Sequence, residues 1–323
     1  MEIKEFVADK PSAGSWLVDG LIPQGHIILM TGEPGVGKSW IVDSLAMHIA
    51  GAKDFLGMKV SGGSVLLIDE DTPSDELSNR LVRLSGSLGL NLEKLPLTIH
   101  SIENLDLSSN RTRTMIELEI KEKKVRLVII DCLSKVMGKL FDENRARDAS
   151  DCLTMCGYLK AGGATVILVH HLNKQVGDIS TDLFKMSRGS GAILAGSDTA
   201  FGVELGMIKP TLRFNLYPYA RRRKLKYGAF GIELVEDEDL EYAILKKQRI
   251  AHKLSSLAKD IFPIFANNGI NLSVVDVHKK VKGEGDLWQV RDALHELEAS
   301  SLIHKGRAAH NRYLYSLNKT TLQ

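Results

Sequence analysis

Apolar and polar residues follow two rhythms along this chain. Short runs of branched aliphatic residues are bounded by Gly, Asp or Ser. Between them lie longer stretches with apolar positions three and four apart. The first rhythm is that of buried strands and the second that of amphipathic helices. Strands are expected at His26–Thr31, Ser64–Asp69, Leu97–Ser101, Arg126–Asp131, Ala164–His170 and Thr199–Leu205. Two more, Thr211–Leu216 and Gly228–Val235, flank a basic turn and are expected as a hairpin at the sheet edge. Apolar strands interleaved with helices, from about Trp16 to Val235, imply an α/β fold: a doubly wound, mostly parallel sheet flanked by helices.

The pattern breaks at Glu236-Asp237-Glu238-Asp239-Leu240-Glu241. Basic, helix-favouring Lys246-Lys247-Gln248-Arg249 follows, and residues 241–254 are expected to be a linker, a solvated helix face being compatible with that. The remainder has a different grammar. Ala258–Asn267 has helical spacing and ends at Asn268-Gly269, a C-cap signal. Ser273 with Asp276 opens a second helix that ends at Gly283, and Asp286 with Gln289 opens a third. In the third helix Leu287, Val290, Leu294 and Leu297 share one face. Leu302–Lys305, a turn at Gly306-Arg307 and Tyr313–Leu317 complete the pattern as a β-hairpin. Three helices and a hairpin are the pattern of a small winged helix-turn-helix domain. The expected division is therefore 1–240 for the α/β domain, 241–254 for the linker and 255–323 for the winged helix.

Composition mainly excludes. A hydrophobic fraction of 44% with 25% charged residues is that of a globular chain and not of a disordered or fibrous one. The net charge of +2 names no partner. Cys132, Cys152 and Cys156 form no disulfide framework, which suits a reducing compartment. Cys152 and Cys156 stand i, i+4 on an expected helix, but no His or further Cys adjoins them in sequence, so two buried thiols are expected before a metal site. Met1–Glu5 has no apolar signal core, and the apolar runs are strand-sized. A soluble, cytoplasmic protein with no membrane partner is expected.

Candidate chemistry begins at Gly32-Glu33-Pro34-Gly35-Val36-Gly37-Lys38-Ser39, a complete G-x-x-x-x-G-K-[ST] phosphate loop. An expected strand precedes it, and an expected helix follows from Trp40. Glycines let the backbone curl so that its N–H groups face a phosphate, and the helix N-terminus adds partial positive charge. Lys38 is placed to reach the β- and γ-phosphates and Ser39 to hold Mg²⁺. ATP and Mg²⁺ are the expected ligands, with Trp40 at the edge of the nucleotide site. Val125–Asp131 is an apolar strand ending in a carboxylate at the sheet edge where ligands of such folds bind, so Asp131 is the expected second metal support. Ser64–Ile68 leads into Asp69-Glu70-Asp71-Thr72-Pro73, an acidic cluster whose bland alternative is a solvated turn.

In order, SWLVDGLIP from Ser15, GEPGVGKS from Gly32, LLIDEDTPSDELSNRL from Leu66, LVIIDCLSKV from Leu127, VILVHHLNK from Val166 and RGSGAILAGSDTAF from Arg188 resemble the RepA-like branch of RecA-fold AAA family ATPases. These are hexameric plasmid-type replicative helicases with phage and mobile-element relatives. The resemblance covers roughly residues 14–235. It implies a RecA-like fold and a catalytic set of Lys38, Asp131, the water-activating Glu70 (Asp69 as fallback) and the nucleotide sensor His171, the alternative sensor being His170. It also implies a homo-oligomeric ring with a cationic finger supplied in trans. Arg221-Arg222-Arg223-Lys224 resembles that finger, with Arg221 and Arg223 as candidates, although a solvated basic turn accounts for any single member.

By the same resemblance, residues 174–188 form a central loop facing single-stranded DNA, with Lys174, Lys185 and Arg188 on phosphates. A second such loop after Asp131, with Lys135, Lys139, Arg145 and Arg147, is weakened by Asp142, Glu143 and Asp148. In the winged helix, Trp288, Arg291 and His295 lie off the apolar face, and Lys305, Arg307, His310 and Arg312 lie on the wing. Arg291, Lys305 and Arg307 are the expected duplex contacts, with protein docking as the other use of such a module. The leading expectation is an ATPase that translocates on, unwinds or remodels DNA in replication of a mobile element. An ATP-switched DNA-binding regulator or recombination mediator is the alternative, and a small-molecule kinase leaves the acidic cluster, the His pair and the C-terminal module without a task.

Overall fold

The computed structural model describes residues 15–138, 141, 145–160, 163–171, 191–207, 212–220, 223–237, 242–248, 257, 260–261, 263–265, 271–281, 287–299, 303–307 and 313–317. The first strands and helices are β1 (Trp16–Val18), β2 (Ile22–Pro23), β3 (Ile27–Gly32), α1 (Lys38–Ala50), β4 (Ser64–Asp69), α2 (Ser74–Leu88) and β5 (Leu97–Ser101). Then come α3 (Asn110–Glu122), β6 (Val125–Asp131), α4 (Leu133–Val136), α5 (Ala146–Lys160), β7 (Thr165–His171) and α6 (Gly191–Gly196). Four strands follow, β8 (Thr199–Met207), β9 (Leu212–Ala220), β10 (Phe230–Asp237) and β11 (Tyr242–Gln248).

Strands β3 to β11 build one sheet in the order β11-β10-β9-β8-β3-β7-β6-β4-β5. The run from β8 to β5 is parallel, and β9-β10-β11 is antiparallel. Successive side chains of a strand face opposite sides, and here both sides are apolar. Ile28, Met30, Val65, Leu67, Leu127 and Ile129 join one core with Ile41 and Leu45 of α1 and Leu77 and Leu81 of α2. Ile27, Leu29, Leu66, Ile68, Val128 and Ile130 join the other, with Ile116 of α3 and Met155 and Leu159 of α5. Burial on two faces is why these strands are uninterrupted apolar runs rather than alternating ones. Cys152 and Cys156 sit in the second core as buried free thiols.

One stretch departs from the sequence expectation. Residues 242–248, placed in the 241–254 linker, form β11, paired along its length with β10, so β11 and not the β9–β10 hairpin is the edge. Ala243 and Leu245 are buried while Lys246 and Lys247 are exposed. The alternation of a half-buried edge strand is short here, and its charged end resembles a helical surface.

The two helices of the first core are tied by a buried ion pair, Arg80 Nη1 of α2 to Asp43 Oδ2 of α1 at 2.6 Å, with side chains 7% and 0% exposed. Removing one partner of a buried pair strands the other charge. Arg80→Met should therefore lower stability by about 3 kcal/mol or more, read as a fall in the urea unfolding midpoint. An unchanged midpoint would mean that the pair contributes nothing to this core.

The chain divides into a larger unit ending at Gln248 and a smaller unit from Arg249. In the smaller unit the described residues between 257 and 265 are helical. They precede α7 (Val274–Lys280), α8 (Leu287–Ala299) and the antiparallel pair β12 (Ile303–Arg307) and β13 (Tyr313–Leu317). Ser273 and Asp276 form a reciprocal capping box at the start of α7. Ile261, Phe265, Val277, Val290, Leu294, Leu297, Ile303 and Tyr315 form a core of their own. Leu287, expected on the apolar face of α8, is 41% exposed because it opens the helix one turn before the core begins. Gly306 and Arg307, expected in the turn, lie in β12, and the reversal falls at 308–312, outside the described residues. Among the described residues no helix is long and apolar enough to cross a membrane.

Candidate active site

The loop between β3 and α1 takes its shape from two glycines with left-handed backbone, Gly35 at φ +79° and Gly37 at φ +87°. Gly37 is the N-cap of α1, so the helix begins at Lys38. A Cβ on Gly37 would also overlap the ring of Phe214 in β9. Gly37→Ala should thus distort the loop twice over, through strain and through overlap, and cost about 1–3 kcal/mol of stability. Binding of a fluorescent ATP analogue should fall with it, and retained affinity would show the loop geometry to be unimportant.

Lys38 is 4% exposed, and its Nζ donates to the carbonyls of Gly32 at 2.9 Å and Glu33 at 2.7 Å. Burial lowers its pKa to about 8, against the upward pull of nearby Asp131. The remaining loop residues divide by burial: Glu33, Pro34 and Gly35 are exposed, Val36 is buried, and Ser39 and Trp40 are half-buried. The Arg80 guanidinium lies 5.2 Å from the centre of the Trp40 ring.

Sheet order then gathers the acidic groups. Strands β3, β7, β6 and β4 are consecutive neighbours, Gly32 is in register with His171, and Asp69 is in register with Asp131. Their carboxyl ends therefore meet beside the phosphate loop, where ligands of open α/β sheets bind. Asp131 is 2% exposed. Burial raises its pKa to about 6, a hydrogen bond from Ser39 works against that, and the charges of Asp69 and Asp71 add to the rise. Asp131 Oδ2 is buried with no hydrogen-bond partner among the described residues. An all-oxygen set of a hydroxyl and an unsatisfied carboxylate fits Mg²⁺.

The three residues after Ile68 do different work. Asp69 is fully buried, and its Oδ1 accepts from the backbone N–H groups of Asp71 and Thr72 at 2.9 and 2.8 Å, bracing the turn. The Glu70 carboxylate accepts three backbone N–H bonds, from Glu103 at 3.1 Å, Asn104 at 3.0 Å and Leu105 at 3.1 Å. It is committed to the segment after β5. Asp71 instead turns to the loop side. Its Oδ2 lies 3.4 Å from His171 Nε2, its Oδ1 lies 3.7 Å from Lys135 Nζ, and its charge acts on Lys38.

The expectation that Glu70 faces the reacting water therefore meets a correction. Two residues past a strand end the backbone has turned, and the carboxylate beside the loop is Asp71. His170 and His171 face opposite ways as strand neighbours must, His170 at 2% exposure and His171 half-buried. Burial lowers the His171 pKa, and the Lys38 charge lowers it further, so the ring is neutral at pH 7.

Other expected positions fall elsewhere. The Arg223 guanidinium stacks 3.9 Å from the centre of the Trp16 ring and donates to the Ser15 carbonyl, which occupies it within the chain. Arg221, Lys174, Lys185 and Arg188 lie outside the described residues. In the smaller unit Arg291 of α8 is exposed, and Lys305 of β12 lies over the Tyr313 ring at 4.4 Å. Both line a cavity of about 720 Å³ with His295, Asp276 and Tyr315. Arg307 lies at the end of β12.

Sequence reasoning passed over Asp71, Cys132 and Phe214. The first was signalled by strand alternation, since Asp69 faces the core and Asp71 repeats its phase. Phe214 carried no local signal, because its contact with Gly37 comes from sheet order.

A phosphate loop opening a helix, opposed by carboxylates and a neutral histidine on adjacent parallel strands, defines a P-loop ATPase of the RecA-like α/β type. A family model of an AAA domain matches residues 2–177, more than half of the chain, and the protein belongs to that AAA-domain family. Among solved structures the fold is similar to that of the ATPase domain of a replicative helicase, at 13% identity and a TM-score of 0.54, covering 75% of this chain and 95% of that one. A comparison with curated proteins finds no match.

Proposed function

We propose that this protein is a Mg²⁺-dependent ATP hydrolase of the RepA-like type that assembles as a homo-oligomeric ring, a hexamer by resemblance, and acts on DNA. The observation that carries the hydrolytic part is the meeting of Lys38, Ser39, Asp131, Asp71 and His171 at four neighbouring strand ends. Lys38 and the loop N–H groups hold the triphosphate, and Ser39 and Asp131 hold the metal. Bound there, Mg²⁺ would offset charge on the phosphate oxygens. Asp71 accepts a proton from the attacking water, the role expected of Glu70 from sequence, because Glu70 has its oxygens on backbone donors. His171, uncharged and hydrogen-bonded to Asp71, orients that carboxylate and reports the state of the nucleotide.

A trans-acting finger is assigned to Arg221 rather than Arg223, whose guanidinium is stacked on Trp16. Single-stranded DNA is assigned to the loop with Lys174, Lys185 and Arg188. The smaller unit is taken as a winged helix that meets duplex DNA through Arg291, Lys305 and Arg307, supported by its order of helices and hairpin and by exposed cations around α8. Replication of a mobile element, in a reducing cytoplasm that keeps the three thiols free, is the proposed setting.

The test combines phosphate release with and without single- and double-stranded DNA, particle mass with an ATP analogue, and strand displacement on a fork. Oligomerisation, DNA-stimulated turnover and displacement are expected. Turnover and DNA binding without displacement would assign the ATP-switched regulator instead. A monomer indifferent to DNA would overturn both.

A further inference from the structure

The strand ends that carry the hydrolytic residues also assemble a donor set that hydrolysis does not need. Asp71 follows β4, Cys132 follows β6 and His171 closes β7, three neighbouring strands. A carboxylate oxygen, the Cys132 Sγ and a His171 ring nitrogen all lie within 4.8 Å of one another. The His171 Nε2 to Asp71 Oδ2 separation is 3.4 Å, about what two ligands of a tetrahedral zinc ion with bonds of roughly 2.0–2.1 Å require. Bringing in the sulfur needs only a side-chain adjustment. Cys132 is 1% exposed, so its thiol is held at the base of the cluster, and His171 and Asp71 form the open side.

The donor types identify the ion class. Mg²⁺ takes oxygen ligands and finds them at Ser39 and Asp131. A thiol, an imidazole and one carboxylate suit a softer divalent cation, above all Zn²⁺, with water in the fourth position. Three protein ligands make a site that takes up and releases its metal.

We propose that Asp71, Cys132 and His171 form a regulatory site for a thiophilic divalent cation, with Zn²⁺ the best-fitting ion, and that its occupation arrests ATP hydrolysis. Uptake replaces the Cys132 S–H bond by a metal–sulfur bond and releases that proton to solvent, with no electron transfer. The arrest follows because the metal takes the Asp71 oxygen and the His171 nitrogen. The inhibitory half rests on the role given to Asp71 above, and the binding half does not.

Cobalt titration of the full chain tests binding without reference to activity. One Co²⁺ per chain should give a sulfur-to-metal charge-transfer band that Zn²⁺ bleaches. Cys132→Ser, with Cys152 and Cys156 in place, should lose the band, and His171→Asn should weaken Zn²⁺ binding at least about tenfold while melting like the wild type. A band that persists in Cys132→Ser, or Zn²⁺ affinity equal in all three proteins, overturns the site.

Phosphate release at fixed Mg·ATP is then followed against Zn²⁺, each protein normalised to its own metal-free rate. The half-inhibiting concentration should rise at least about tenfold in Cys132→Ser. Metal bound through Cys132 with hydrolysis unaffected overturns the regulatory role. If no protein hydrolyses ATP, it is the functional reading that fails, and the cobalt spectrum still decides the site.

Discussion

Asp71→Asn should bind Mg·ATP nearly as the wild type does and hydrolyse it about 10²–10⁴ times more slowly, the usual worth of a positioned general base. The substitution keeps the side chain's size and its oxygen but removes the proton acceptor. Asp71 is partly exposed, so folding does not depend on its charge, and its neighbours are the groups that handle phosphate: Lys38 through its field, and His171 at 3.4 Å. Single-turnover phosphate release with nucleotide pre-bound isolates the chemical step. If Asp71→Asn turns over at the wild-type rate, the base is elsewhere.

Lys38→Ala should abolish measurable turnover and weaken nucleotide binding about 10–150-fold, which is what losing one charge-assisted contact of roughly 1.5–3 kcal/mol amounts to. Its effect on stability should run the other way. Lys38 is buried, and its pKa falls from 10.5 to about 8, so the folded chain holds its proton less firmly than the unfolded chain does. Where the unfolded state binds more protons, stability rises with pH. The handicap is complete below pH 8 and is relieved between about pH 8 and 10.5. At pH 7 Lys38→Ala should therefore melt no lower than the wild type, and the wild type should gain on it as pH rises through that window. A variant that melts lower at pH 7 and shows no such convergence would mean that the two carbonyl bonds outweigh burial.

The sheet was legible because two-sided burial writes itself into sequence as apolar runs. The starts of the strands at Ser64, Leu97 and Thr199 coincide with their expected starts. Strand β11 was not, since an edge strand needs only Ala243, Leu245 and a few neighbours to face the core, and its lysines resemble a linker. The phosphate loop is local, its geometry following from glycine placement within eight residues, so its spacing sufficed. The choice between Glu70 and Asp71 is not local. It depends on the N–H groups of residues 103–105, which reach Glu70 only because β5 lies beside β4. The same holds for Arg223, whose partner Trp16 lies at the far end of the chain. Motif spacing finds which cluster carries the chemistry, and the packing around that cluster decides which member faces the substrate.

The most direct measurement is the single-turnover rate of Asp71→Asn beside that of Glu70→Gln, both at saturating Mg·ATP and with nucleotide binding measured in parallel. Glu70→Gln removes a loop anchor and should retain turnover at least about 100 times that of Asp71→Asn. A Glu70→Gln protein that binds ATP and is dead, beside an Asp71→Asn protein that hydrolyses it, would contradict the account.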